Sequence, residues 1–246
     1  MFRPFLFGRH ARFQRIHAGL LLALTALLLN VPSARAQFSA PRSPTQVRDA
    51  SALHPPAGAR VAIIEFDDLQ CPACAAANPL LMQAAAKYGI PWIRHDVHIP
   101  GHVWSPTAAI NARFFDTKSK TLGNDYRNSV FANQASIETL DELQQFTQRF
   151  ASAHSVALPF AIDPQGKLAA AAQADCQLAL RTGAKLTPAI FIVTSGGKGA
   201  PFIEVLNPQT QLFTTIDQAL AQTHIDTRSS APAKTTPKTA QKPTHK

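Results

Sequence analysis

The chain reads as an α/β protein whose strand-containing core is interrupted by a block of helices. Three observations carry that reading. A β-branched apolar run, Val61 to Phe66, leads into Cys71-Pro72-Ala73-Cys74 and an Ala- and Leu-rich helical stretch. Helical patterning then fills residues 102–183. Two further β-like runs and a short helix close the body. With 246 residues, 46% hydrophobic and 16% charged, the composition suits one globular domain with an insertion and processed or flexible ends.

Residues 1–36 read as an export signal. Arg3, Arg9, Arg12 and Arg15 precede an apolar run from Ala18 to Val31, and Ala34-Arg35-Ala36 has the small-x-small form of a cleavage site. The run is short for a membrane span of about 20 residues, and an uncleaved membrane anchor is the alternative. The mature chain, 37–246, is then expected outside the reducing cytoplasm, in a periplasmic or other extracytoplasmic space where disulfides persist. Residues 37–57 form a Pro- and Ser-rich lead-in.

Residues 58–101 hold strand, dithiol motif, helix and strand. The helix AAANPLLMQAAAKY stops at Gly89, and Pro79 within it predicts a kink or restart. The second strand lies in Ile90 to Pro100. In 102–183, Ser105-Pro106 is a plausible N-cap and first-turn pair, and Thr139 with Glu142 predicts a capping box. Asp163 to Gly166 is a turn before another helix, and these helices are expected to pack together as a lid or subdomain. Residues 184–224 contain a strand after Pro188, a glycine-rich turn at 196–199, a short second strand in PFIEVLNP and a helix from Thr214 to His224. Residues 225–246, rich in Pro, Thr, Ala and Lys, are expected to be a disordered basic tail.

The net charge of +9 sits at the ends. Setting aside the five bases of 1–36 and the five of 227–246 leaves 14 bases against 15 acids. A near-neutral body argues against a nucleic-acid partner.

Two of only three cysteines stand at CxxC spacing, which suits zinc or redox chemistry. A zinc site would need two further ligands, and His95, His98 and His102 are the candidates. The redox reading uses the position of Cys71 between a strand and a helix. Pro72 fits the first helical turn, and the free N–H groups and dipole of that helix stabilise a Cys71 thiolate. Cys74, one turn further, is the resolving candidate. A purely structural bridge would close a tiny loop and gain little chain entropy. Glu65, inside an apolar strand and costly to bury, is placed to lie beneath the dithiol and relay a proton. Asp67 and Asp68 read as local loop and cap residues that raise thiol pKa values. Thr187-Pro188, entering a strand, marks a tight turn where a cis bond would fit. Cys176, which makes the cysteine count odd, reads as a buried helix cysteine, with a regulatory thiol or an intermolecular link as alternatives.

Three of these features together resemble the DsbA-like class of thioredoxin-fold thiol oxidoreductases, and in particular its exported group with an FSDFxCPxC-type motif. Here that motif is FDDLQCPAC, Phe66 to Cys74. The likeness continues through LTPAIFIV and the final helix, over roughly residues 58–222. It implies a thioredoxin fold, in parts 58–101 and 184–224, with an inserted helical subdomain at 102–183. Cys71 would be the surface-facing nucleophile and Cys74 its resolving partner, forming the redox-active disulfide. Glu65 would be the buried acid, and Pro188 a cis-proline facing Cys71. Thr187, Pro188, Pro72 and Ala73 would meet the substrate, with the Thr187 backbone pairing to an extended segment. No cofactor is implied. The partners would be exported cysteine-containing proteins and a redox-recycling protein, with a membrane-bound one among the options. Pro-Ala between the cysteines lacks the histidine of the strong oxidants, so oxidase, reductase and isomerase remain open. The lead-in is too short for a dimerisation domain, which favours a monomer. The competing function is a thioredoxin-fold chaperone or binding module with a structural dithiol.

Overall fold

The computed structural model describes residues 42–196 and 199–229. The expected signal at 1–36, the start of the lead-in and the tail beyond 229 lie outside the described residues.

Four strands form one sheet in the order β2-β1-β3-β4: β1 (Val61–Asp67), β2 (Trp92–Asp96), β3 (Ala189–Thr194) and β4 (Phe202–Glu204). β1 runs parallel to β2 and antiparallel to β3, and β3 is antiparallel to β4. The parallel pair needs a crossover, which α1 (Pro72–Tyr88) supplies. All seven residues of β1 are buried, which is why it reads as a nearly unbroken apolar run.

Side chains alternate across the sheet. Val61 and Ile63 face α1 and α6 (Pro208–Ser229), meeting Ala77, Leu81, Leu212 and Ile216. Ala62, Ile64 and Phe66 face the opposite way, against Leu53 and against Ala179 of α5 (Lys167–Thr182). Glu65 and Asp67 fall on the first side by the same count, beneath the start of α1. A third core joins α2 (Ser105–Asp116), α3 (Lys120–Asn133) and α4 (Leu140–Ala153) around Trp104, Phe115, Tyr126 and Phe150. That core runs on to Leu69, Cys71 and Cys74, so the helical block is packed against the dithiol itself.

The fold class is the expected one, α/β with helices inserted between β2 and β3, and several details differ. α5 is not purely part of a lid, because it lays Ala179 on the sheet. Pro79 sits inside one helix that continues to Tyr88, where Gly89 caps it in the left-handed region (φ 61°). Ser105 is the first helical residue rather than the N-cap, which is Trp104. The cap comes from the dithiol loop, where Gln70 Oε1 accepts the N–H groups of Trp104 and Ser105 at 2.9 and 3.2 Å. The expected Thr139/Glu142 capping box is present. α6 starts six residues early, because Pro208 fits its first turn and Gln211 Oε1 accepts the N–H groups of Leu206 and Asn207. It runs through 225–229, the first residues of the expected tail. No helix among the described residues is long and apolar enough to cross a membrane.

Candidate active site

Cys71 occupies the N-cap of α1 with extended backbone (φ −81°, ψ 119°), and Pro72 opens the helix. Its N–H donates to Asp68 O at 2.9 Å, and its carbonyl accepts from Ala75 N at 3.1 Å. Gln134 Nε2 also reaches this turn, donating to Leu69 O and Cys71 O at 2.9 and 3.2 Å. The helix start is thus fixed from both sides. All three cysteines are free thiols. Cys71 retains 7% exposure and Cys74 none, so Cys71, expected to face the surface, is largely enclosed. The Thr187-Pro188 turn and the helical core close over it. Pro72 and Ala73 beside it are exposed.

The two thiols are driven apart. The Cys71 pKa falls to about 5, first through a hydrogen bond from the Cys74 thiol, against the cost of burial. Thr187 and the backbone N–H groups of Cys74 and Ala73 add to the stabilisation. The Thr187 hydroxyl is buried and has no hydrogen-bond partner among the described residues, which leaves it available to a thiolate. Burial pushes the Cys74 thiol well up, reinforced by Cys71 and by the nearby carboxyls of Asp67 and Glu65.

Those two acids form a layer below the dithiol. Trp92 Nε1 donates to Glu65 Oε2 at 3.0 Å. Arg94 lies opposite Glu65 on β2 and donates through Nη2 and Nε to Asp67 Oδ2, at 2.6 and 3.0 Å. Its Nε is 3.9 Å from Glu65 Oε2. Burial drives the Glu65 carboxyl up to about 8, assisted by Asp67 and opposed by Arg94. Burial also raises Asp67 despite Arg94. Glu65 Oε1 and Asp67 Oδ1 are buried without a partner among the described residues, and for Glu65 this suits a protonated acid. Asp67 and Asp68, read as loop and cap residues, are fully buried. Asp68 accepts from Gln70 N, Ile99 N and His102 Nδ1 at 2.7, 2.7 and 2.9 Å, tying the dithiol loop to the segment that follows β2.

The histidines weighed as zinc ligands are spread over separate partners. His95 meets Asp175, His98 meets Cys176 Sγ at 3.3 Å, and His102 meets Asp68. Among the described residues no group of three or more His, Cys, Asp or Glu is arranged to hold a metal ion. Cys176 is half-buried on α5.

The Thr187-Pro188 peptide bond is cis, and Cys71 Sγ lies 3.6 Å from the Thr187 carbonyl oxygen. The structure therefore brings together Cys71, Cys74, Thr187 and Pro188, with Glu65 on the sheet face below. Arg94 and Gln134 were not singled out from the sequence. A cation within the β-like run of Trp92 to Asp96 was the available signal for Arg94, parallel to that of Glu65. Nothing in the sequence near Gln134 marks its reach back to Cys71, 63 residues earlier.

An acidic thiol at a helix start, a buried partner one turn on and a cis-proline turn against the first sulfur define the class of thioredoxin-like dithiol sites. The family described as thioredoxin matches residues 56–198, and the chain belongs to it. No curated protein matches the chain. Among solved structures, α-DsbA1 of Wolbachia pipientis is 18% identical with a TM-score of 0.57, over 71% of this chain and 92% of that one. ScsC of Proteus mirabilis, in a transitional conformation, gives 16% and 0.55, over 86% and 94%. A periplasmic thioredoxin-like protein from Salmonella enterica serovar Typhimurium gives 23% and 0.53, over 65% and 84%. At these identities the likeness is one of fold: a thioredoxin fold of DsbA type with its helical insertion.

Proposed function

We propose that this chain is an exported thiol–disulfide oxidoreductase that exchanges disulfides with protein substrates through Cys71 and Cys74. The observation that carries the reading is the contact of Cys71 Sγ, at 3.6 Å, with the Thr187 carbonyl of the cis-proline turn, together with a thiol pKa of about 5.

In the exchange, a substrate thiolate attacks Cys71 Sγ of the Cys71–Cys74 disulfide. The S–S bond breaks, a mixed disulfide forms, and Cys74 leaves as a thiolate. A Cys74 thiolate has high proton affinity in its buried setting, and Glu65, still protonated at neutral pH, supplies the proton. A second substrate thiolate then attacks the substrate sulfur of the mixed disulfide, expelling Cys71 as a stabilised thiolate. The substrate loses two electrons and the dithiol gains them. A recycling partner's disulfide takes them on. The Thr187 backbone and exposed Pro72 and Ala73 line the approach of an extended substrate segment.

A thiolate stabilised in the reduced form favours giving the disulfide away. Equilibration with glutathione in a Cys176→Ser background is expected to give a potential between about −180 and −120 mV. A value near about −270 mV would reverse the assigned direction to that of a reductase. Failure to exchange with glutathione at any ratio would leave the dithiol structural and refute the reading.

A further inference from the structure

A cleft of about 590 Å³ opens beside the cis-proline turn, between residues 42–48 and the connection from α5 to β3. Its outer wall is a strap tied down at four points. Arg48 N donates to Thr182 O at 3.1 Å. Thr45 donates through N and Oγ1 to the two carboxylate oxygens of Glu204, at 2.5 and 2.7 Å. Arg42 Nη1 donates to Pro188 O at 2.6 Å, the carbonyl of the cis-proline itself. At Gly183 (φ 95°) a Cβ would overlap the Gln46 carbonyl, so the strap uses the space a larger residue would fill.

Three cations line this cleft, Arg42, Arg48 and Lys185, against one acid, Glu204. Both oxygens of that acid are taken by Thr45. Arg48 and Lys185 are exposed and make no ion pair among the described residues. The concentration is local, since the body as a whole carries 14 bases against 15 acids. Lys185 and Leu186, which is 60% exposed, directly precede Thr187. A client segment lying along Thr187 in extended form advances about 3.3 Å per residue. Two to four client residues span about 7–13 Å, and the cleft begins at Lys185, two residues before Thr187, and at Arg42 on the Pro188 carbonyl. Guanidinium and ammonium groups there match carboxylates.

We propose that this cleft is a specificity subsite that favours client segments carrying Asp or Glu two to four residues from the cysteine to be exchanged. The proposal rests on the exchange reading above and adds the chemical class of the client. The chain's own tail, 227–246, has five bases and no acid, and so does not suit the cleft as an occupant.

The test uses paired single-cysteine peptides, identical except for Glu or Lys two and three residues on either side of the cysteine. Each peptide's rate with the oxidised protein is divided by its rate with oxidised glutathione, which removes the effect of flanking charge on the thiol. Wild type is expected to prefer the acidic peptide roughly five- to ten-fold, the size that two partly exposed ion pairs supply. The preference should shrink in about 0.5 M salt. In the Arg48→Glu/Lys185→Glu double variant the ratio should invert. Because the ratio is internal to each protein, a general change in the dithiol cancels. Equal rates in wild type, or a preference that survives the double variant, overturns the subsite while leaving exchange intact. Absence of any exchange with reduced glutathione overturns the exchange reading, and the subsite with it.

Discussion

Cys71 and Cys74 are the same side chain one helical turn apart, and their proton affinities move in opposite directions for local reasons. Cys71 ends a strand-to-helix turn where N–H groups, the Cys74 thiol and Thr187 converge on its sulfur. Cys74 is enclosed among apolar residues above two acids. The rate of Cys71 alkylation should therefore rise with pH around a midpoint near 5, not near the usual 9. Cys74→Ser should trap a mixed disulfide on Cys71, and Cys71→Ser should abolish exchange, both readable by mass spectrometry. Glu65 supplies a separate pH signature. Its carboxyl holds a proton up to about 8 in the fold, against 4.5 when unfolded. The folded state thus binds the extra proton between those values, and stability falls as pH rises through them. Glu65→Gln removes that slope. Urea denaturation should show the variant gaining on wild type between about pH 4 and pH 9, with no gain if the carboxyl is ionised throughout.

At the scale of elements, the contacts between sheet and inserted helices include buried ion pairs. Arg127 of α3 grips Asp96 of β2 through Nε and Nη2, both at 2.6 Å, and Asp116 of α2 at 3.0 Å. Arg127 is 3% exposed and Asp96 1%. Burial alone would raise the Asp96 carboxyl, and Arg127 with Arg113 and Arg94 brings it below the usual range. Removing one partner strands the other charge, so Arg127→Met should cost about 3–5 kcal/mol in chemical denaturation. Adding Asp96→Asn should recover part of that loss, and a purely additive double variant would contradict the pairing. The strap offers a second case. Gly183→Ala introduces both a left-handed alanine and an overlap with Gln46, and should destabilise by more than about 1 kcal/mol.

For the whole molecule, the oxidation state should set stability. Only the reduced protein carries the Cys71 thiolate. A depressed pKa contributes stability that is complete above the unfolded value of 9 and lost as pH falls through 5. The reduced form should therefore resist denaturant better than the oxidised form at neutral pH, with the advantage shrinking toward about pH 4. Equal stabilities at neutral pH would mean that the thiolate is not held as described. Two cores serve this arrangement. The sheet with α1 and α6 carries the dithiol, and the core of α2, α3 and α4 closes against it.

Much of this was written in local sequence. The seven-residue strand before CPAC, the helix start at Pro72, the stop at Gly89 and the Thr139 capping box depend on neighbours a few residues apart, and short-range sterics and hydrogen bonding specify them. The order of elements and the candidacy of Cys71, Cys74, Glu65 and Pro188 came from the same source. Tertiary structure alone decided what depends on long sequence separation. Arg94 opposite Glu65, Gln134 on the Cys71 carbonyl, Arg127 on Asp96 and Arg42 on Pro188 each join segments brought together by folding. The same enclosure buried Asp67 and Asp68 and left Cys71 only 7% exposed. A sequence pattern records which groups can ionise, and the fold sets the solvent and the opposing charges around them, which is what fixes their proton affinity.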